Sequence, residues 1–130
     1  MSKNREHLKP TDAELDILQI VWTEGPSTVR DIHEKLLALK DVRYTTVLRQ
    51  MQILEEKGFV KSDKSQRSHL FSMAIPQEEI QGNMVTHLLD HAFNGSKSQF
   101  LLQALGSGKT TKQDLDEMRA LIDSYEEEQS

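Results

Sequence analysis

No cysteine occurs among the 130 residues. Disulfide scaffolds, thiolate zinc sites and cysteine nucleophiles are thereby excluded. Long apolar runs are missing too. The longest is Leu36 to Leu39, and a membrane-spanning helix needs ~20 residues. The segment Met1 to Pro10 carries Lys3, Arg5 and Lys9 but no apolar stretch, so it does not read as a signal peptide. The expectation is a soluble cytoplasmic protein with no membrane insertion. The length, set against ~150 residues per domain, allows one domain or one with an appendage, and excludes large barrels and two-domain dehydrogenases. What is present is ordinary for a globular chain, at 36% hydrophobic and 28% charged residues.

The charge is unevenly distributed. The net of -5 argues against a nucleic-acid partner, but the two parts of the chain disagree. Residues 1–75 hold 12 Lys/Arg against 11 Asp/Glu, whereas residues 76–130 hold 4 against 10. Between 40 and 75 the basic residues Lys40, Arg43, Arg49, Lys57, Lys61, Lys64 and Arg67 outnumber 4 acids. For nucleic-acid binding the distribution matters more than the total. A solvated surface is the competing reading of the same charges.

Hydrophobic periodicity predicts three helices and a hairpin in the first part. Thr11-Asp12-Ala13-Glu14 has the form of a capping box. Leu15, Leu18, Val21 and Trp22 follow at helical spacing, with Ile17 beside them and Trp22 read as a core anchor. Gly25-Pro26 ends that helix, and Ser27 is placed as the cap of the next, whose stripe is Val29, Ile32, Leu36 and Leu39. A third helix is expected over 44–57 with Val47, Met51 and Leu54 inward, and Gly58 stands where a left-handed C-terminal cap belongs. The period then changes to two. Phe59 to Asp63 reads as extended, Lys64 to Arg67 as a turn, and His69, Phe71 and Met73 alternate with Ser68, Leu70 and Ser72 as in a strand. Pro76 closes the pattern.

Short helices followed by a hairpin outline a mainly α fold with a small β-hairpin, a winged helix-turn-helix, in which the second helix of the motif reads the major groove. Here that helix is 44–57, and its start presents Arg43, Tyr44, Thr45, Thr46, Arg49 and Gln50. Arginine suits guanine, glutamine suits adenine, and threonine suits a thymine methyl or a phosphate. Lys61, Lys64 and Arg67 fall in the 59–73 hairpin, where a wing would follow the phosphate backbone. The alternative is a winged-helix protein-interaction module that does not bind DNA, since a fold does not fix a function.

The segments PTDAELDILQIVWTEGPSTVRDIHEKL (10–36), YTTVLRQMQILEEKGFV (44–60), RSHLFSMA (67–74), FNGSKSQFLLQAL (93–105) and DLDEMRALI (114–122) resemble the penicillinase-repressor family, the BlaI/MecI/CopY group of bacterial transcriptional regulators. The resemblance covers residues 9–127. It implies a homodimeric repressor, not an enzyme. An N-terminal winged helix over 1–75 would bind double-stranded, two-fold symmetric operator DNA, and helices over 76–130 would make the dimer. It also implies a membrane sensor-protease pathway that cleaves the repressor, at a position corresponding to Gln99-Phe100. The family's best-known members have Asn where this chain has Gln99. The Cys-x-Cys elements of copper-sensing relatives are absent.

The last part of the chain is patterned for a partner. Ile80, Met84 and Leu88, with Val85 and Leu89 one step across, form one apolar helix face. Phe100 and Leu101 belong to a short second helix, and Leu115, Met118, Leu121 and Ile122 to a third. Few aromatics and short helices leave a thin core, and pairing with a second copy would cover these faces. The monomeric alternative folds them back on the winged helix.

Three further signals resemble chemistry. Gly106-Ser107-Gly108-Lys109-Thr110 looks like the end of a phosphate-binding loop, but the first glycine of that pattern is Gln103 and no strand precedes it. His87 and His91 are four apart on one helix, yet Leu88 stands where a zincin has Glu, and no third ligand converges; they read as histidines near a dimer surface. His33 and His69 have no partners for a catalytic triad. No cofactor and no metal site is assigned.

Overall fold

Three of the helices open with the same device, a threonine side chain bonded to the backbone of the third helical residue, whose carboxylate bonds back. The structure, a computed structural model, describes residues 9–130; the basic residues Lys3 and Arg5 lie outside them. Six helices and two strands follow in the order α1 (Asp12–Glu24), α2 (Val29–Leu37), α3 (Tyr44–Glu56), β1 (Val60–Asp63), β2 (Leu70–Met73), α4 (Gln77–Ala92), α5 (Lys97–Gly106) and α6 (Lys112–Gln129). No helix of the described residues is long and apolar enough to cross a membrane. The mainly α composition with one hairpin agrees with the sequence reading, and α3 begins where the periodicity places it.

The chain divides into two compact units, up to Val85 and from Thr86 to Ser130. The division falls inside α4 and not at 75/76. The reason is local: Ile80 is only 3% exposed and belongs to the core of the first unit, with Met84 packed against that core. Side chains expected to serve a dimer thus have a first partner within their own chain.

In the first unit α1 contributes Ile17, Leu18 and Val21 to the core, α2 Val29, Ile32 and Leu36, and α3 Val47, Met51 and Leu54. Phe59, Val60 and Phe71 close it from the hairpin. Each helix supplies residues three and four apart, which fall on one face. Leu15 and Trp22, expected at the centre of the α1 stripe, are only partly buried and pack against its edge. The Trp22 indole Nε1 is buried without a hydrogen-bond partner among the described residues. Leu39, expected in the α2 stripe, is 74% exposed, because α2 ends two residues earlier.

The hairpin is antiparallel, pairing Val60 with Met73 and Asp63 with Leu70. Ser27 joins it: its N–H donates to the Phe71 carbonyl at 2.9 Å, and the Phe71 N–H returns to the Ser27 carbonyl at 2.8 Å. This bridge takes the backbone of the residue expected to cap α2. The cap is Thr28 instead, whose hydroxyl accepts from the Asp31 N–H at 3.1 Å. The turn before Ser27 needs Gly25, which sits at φ 81°, a conformation that a side chain disfavours. Gly58, at φ 86°, ends α3 as expected.

In the second unit Ser96 caps α5, its hydroxyl accepting from the Gln99 N–H at 3.2 Å. Phe93 and Phe100 meet edge to face with ring centroids 5.3 Å apart. The glycine-rich segment is an interhelical turn: the Thr110 hydroxyl donates to the Leu105 carbonyl at 2.7 Å, closing the end of α5. Helices flank it on both sides, so the phosphate-loop likeness ends at the sequence.

Candidate nucleic-acid interface

The start of α3 is held by packing and by its neighbour helix, since Arg43 at its N-cap makes no side-chain capping bond. His33 of α2 does the holding. Its Nε2–H donates to the Val42 carbonyl at 2.8 Å, and its ring meets Tyr44 edge to face at 5.7 Å. The turn between the two helices is thus pinned at Val42, two residues before α3 begins. Sequence reasoning left His33 without a role; its signal is only its position on α2, and the contact to 42 needs the fold.

With Val47, Met51 and Leu54 facing the core, the remaining faces of α3 are outward. Arg43, Tyr44, Thr45, Thr46 and Arg49 are exposed and Gln50 is half-buried. Thr45 and Arg49 are four apart and share a face, as do Thr46 and Gln50. On the hairpin, Lys61, Lys64 and Arg67 are all exposed. A hydrogen bond from the Ser62 hydroxyl to Glu55 joins β1 to the outer side of α3, fixing the hairpin beside the helix. At the hairpin turn the Ser65 N–H donates to Asp63 at 2.9 Å. That bond, with the Ser65 hydroxyl, holds the Asp63 carboxyl below its ordinary value.

The ion pairs sort the basic residues of 40–75. Lys57 Nζ lies 2.8 Å from Glu14, whose side chain is 6% exposed, so this lysine ties α3 to α1. Lys40 Nζ is 3.0 Å from Asp16. The other five, Arg43, Arg49, Lys61, Lys64 and Arg67, form no ion pair among the described residues. These are the five cations that the sequence assigns to DNA. Charge counting included Lys40 and Lys57 in the basic stretch; their carboxylate partners on α1 are distant in sequence, and only the fold brings them close.

An open groove of about 300 Å³ runs between the start of α2, the outer face of α3 and the hairpin. Tyr44 and Lys64 line it. So do Thr28, Arg30, Gln52, Ser68 and His69, which sequence reasoning did not assign to DNA. Arg30 stands in the first turn of α2, the helix that crosses the backbone in such folds, and that position is the signal that could have found it. It pairs with Glu34 at 3.5 Å on the exposed side of α2.

The residues assigned to a dimer are unequally placed. Ile80 is buried, and Met84, Leu89, Phe100, Leu115 and Met118 are half-buried. Val85, Leu88, Leu101, Leu121 and Ile122 are exposed by 37% to 60%. Gln99 is exposed in the first turn of α5, and the adjoining Phe100 packs on Phe93. His87 and His91 stack with centroids 4.0 Å apart, and no group of three or more metal-binding side chains occurs among the described residues.

Residues 10–124 match the Penicillinase repressor family. The chain is 32% identical over 93 residues to the transcriptional regulator BlaI of Mycobacterium tuberculosis, covering 70% of this chain and 67% of that protein. The penicillinase repressor of Staphylococcus aureus is 20% identical over 110 residues, covering 85% of this chain and 87% of that one. An uncharacterized 16.5 kDa protein of Latilactobacillus sakei is 25% identical, with 94% and 82% covered. Among solved structures, a double mutant of Lactococcus lactis ZitR is similar at 21% identity and a TM-score of 0.45, with 96% of this chain and 79% of that one covered. The chain belongs to the penicillinase repressor family of winged-helix transcriptional repressors.

Proposed function

We propose that the chain represses transcription as a homodimer on a two-fold symmetric operator. The observation that carries the reading is the set of five cations on α3 and the hairpin that have no counter-ion among the described residues, in a chain of net charge -5. Unpaired cations gathered on neighbouring elements of an acidic protein fit a polyanion. In this reading α3 enters the major groove, where Arg43, Arg49 and Gln50 reach base edges and Tyr44, Thr45 and Thr46 fix the approach. Lys61, Lys64 and Arg67 grip phosphates, which positions the protein without reading sequence. Residues 1–75 serve DNA and 76–130 the dimer, with the start of α4 completing the core of the first unit.

Dimerisation is supported by Leu88, Leu101, Leu121 and Ile122, apolar side chains left in water. Two copies would set their α3 helices about 34 Å apart, one turn of DNA. Repression follows from occlusion of an overlapping promoter, in the cytoplasm. Relief by a membrane sensor-protease pathway would act at Gln99-Phe100. That bond lies in the first turn of α5, so cleavage requires the turn to open first.

The test is selection of fragments of the source genome by the pure protein, followed by sequencing. A two-fold symmetric site is the expected product. No enrichment at low salt by a folded protein would overturn the reading and leave a module that binds other proteins. Sedimentation of the Leu121→Glu/Ile122→Glu double variant should give a monomer where the unaltered chain gives a dimer.

A further inference from the structure

We propose that His87 and His91 form a two-imidazole site for a borderline divalent transition metal, Zn²⁺, Ni²⁺ or Cu²⁺, on α4. Three observations lead there. The residues are four apart on one helix, a spacing that puts Cβ atoms about 5–6 Å from each other on one face. Their rings overlap, with centroids 4.0 Å apart and planes at 28°, so both imidazoles occupy one small volume. His91 Nδ1 lies 3.0 Å from the His87 carbonyl; an acceptor there requires the proton on Nδ1, which leaves the lone pair on Nε2.

That last contact is the arrangement by which metal-binding histidines are oriented. One ring nitrogen donates to a backbone carbonyl and fixes the tautomer, and the other faces the ion. Here the carbonyl belongs to the second histidine of the pair, so one turn of helix supplies both the ligands and the orienting acceptor. An ion held by the pair would take Nε2 of His91 and one ring nitrogen of His87. With no third ligand among the described residues, water or a second copy of the chain completes the coordination. The site is therefore weaker and more exchangeable than a four-ligand structural zinc. Imidazole ligands select zinc, copper and nickel over magnesium or calcium. The proposal does not depend on DNA binding, and its test uses the chain free of DNA.

Calorimetric titration of the full chain with Zn²⁺ or Ni²⁺ should show one metal per chain, or one per two chains where a second copy completes the site. His87→Gln and His91→Gln should each lower the affinity at least ~tenfold, because one ligand loses the benefit of its tethered partner. Two independent imidazoles would instead give two sites, and each variant would remove one at unchanged affinity; that result overturns the chelate. His7→Gln, His33→Gln and His69→Gln should bind as the unaltered chain does. Equal binding by the His87→Gln/His91→Gln variant, or none by the unaltered chain at millimolar metal, also overturns it. Both residues lie on a helix surface, His91 exposed and His87 half-buried, so circular dichroism should find the variants folded.

Discussion

The two compact units treat apolar side chains in opposite ways. Among the described residues up to Val85, fourteen apolar residues are buried, several of them completely. Among residues 86–130 none is buried, while Leu102, Leu121, Ile122 and Tyr125 are each about half exposed or more. Charge divides similarly: five basic residues without an ion pair among the described residues lie on α3 and the hairpin, whereas residues 76–130 hold 10 acids against 4 bases. Amphipathic periodicity alone therefore does not make a core. The first unit has a hairpin and three crossing helices to seal its apolar faces. The second has two helices and part of a third, and their faces stay wet until something covers them.

The largest effect expected is in the first unit. Phe59 is 1% exposed at the junction of α3 and the hairpin, and Phe59→Ala should cost ~3–5 kcal/mol through lost burial and a cavity. Urea unfolding checks it. Leu102→Ala, at a side chain 58% exposed, should change stability by less than about 0.5 kcal/mol in dilute protein. A large loss at Leu102 that grows with protein concentration would show the second unit's core to be intermolecular.

Glu14→Gln sharpens the same contrast with charge. Glu14 both completes the α1 capping box and accepts from Lys57 at 2.8 Å. Its replacement should cost ~2 kcal/mol, less than a fully buried pair because Lys57 is a third exposed. The exposed i,i+3 pair Arg119–Asp116 should contribute under ~0.5 kcal/mol to the second unit, which Arg119→Ala measures in the same assay.

Arg49→Ala should weaken specific DNA binding by ~1–3 kcal/mol and relax preference at one base position. An unchanged preference would move Arg49 from base reading to the phosphates. Lys64→Ala should weaken all sequences alike and lower the salt slope by ~1, whereas Lys112→Ala on α6 should leave the slope unaltered.

The smallest effect concerns Asp63. Its carboxyl titrates below the ordinary range because Ser65 bonds to its ionised form. A depressed folded value means that this turn is stabilised above the ordinary range and loses the contribution as pH falls through the folded value. An NMR titration should find Asp63 low. Ser65→Ala should move it only partway back, since the larger cause, the backbone N–H, remains.

Much of the first unit was legible in sequence because its signals are local. The Thr11–Glu14 box, the α3 stripe and Gly58 each depend on residues within a few positions of one another. The errors came where distant chain intervened. Ser27 does not cap α2: its backbone bridges Phe71, more than forty residues on, and its hydroxyl donates to the Gly25 carbonyl. Ile80 reads as part of one apolar face with Met84 and Leu88, yet it turns into the first unit's core. The candidate contacts on α3 were legible because a helix with three known inward positions leaves only the rest for a ligand.

The sequence by itself determined the element order, the outward residues of α3, the excess of base between 40 and 75 and the exclusion of thiol chemistry, since each follows from composition or from spacing within one element. Only the tertiary structure decided which cations lack a partner, that His33 pins the turn before α3, and that the first unit extends into α4. Those outcomes depend on contacts between residues far apart in the chain, and periodicity records which face a side chain takes but not what lies opposite it.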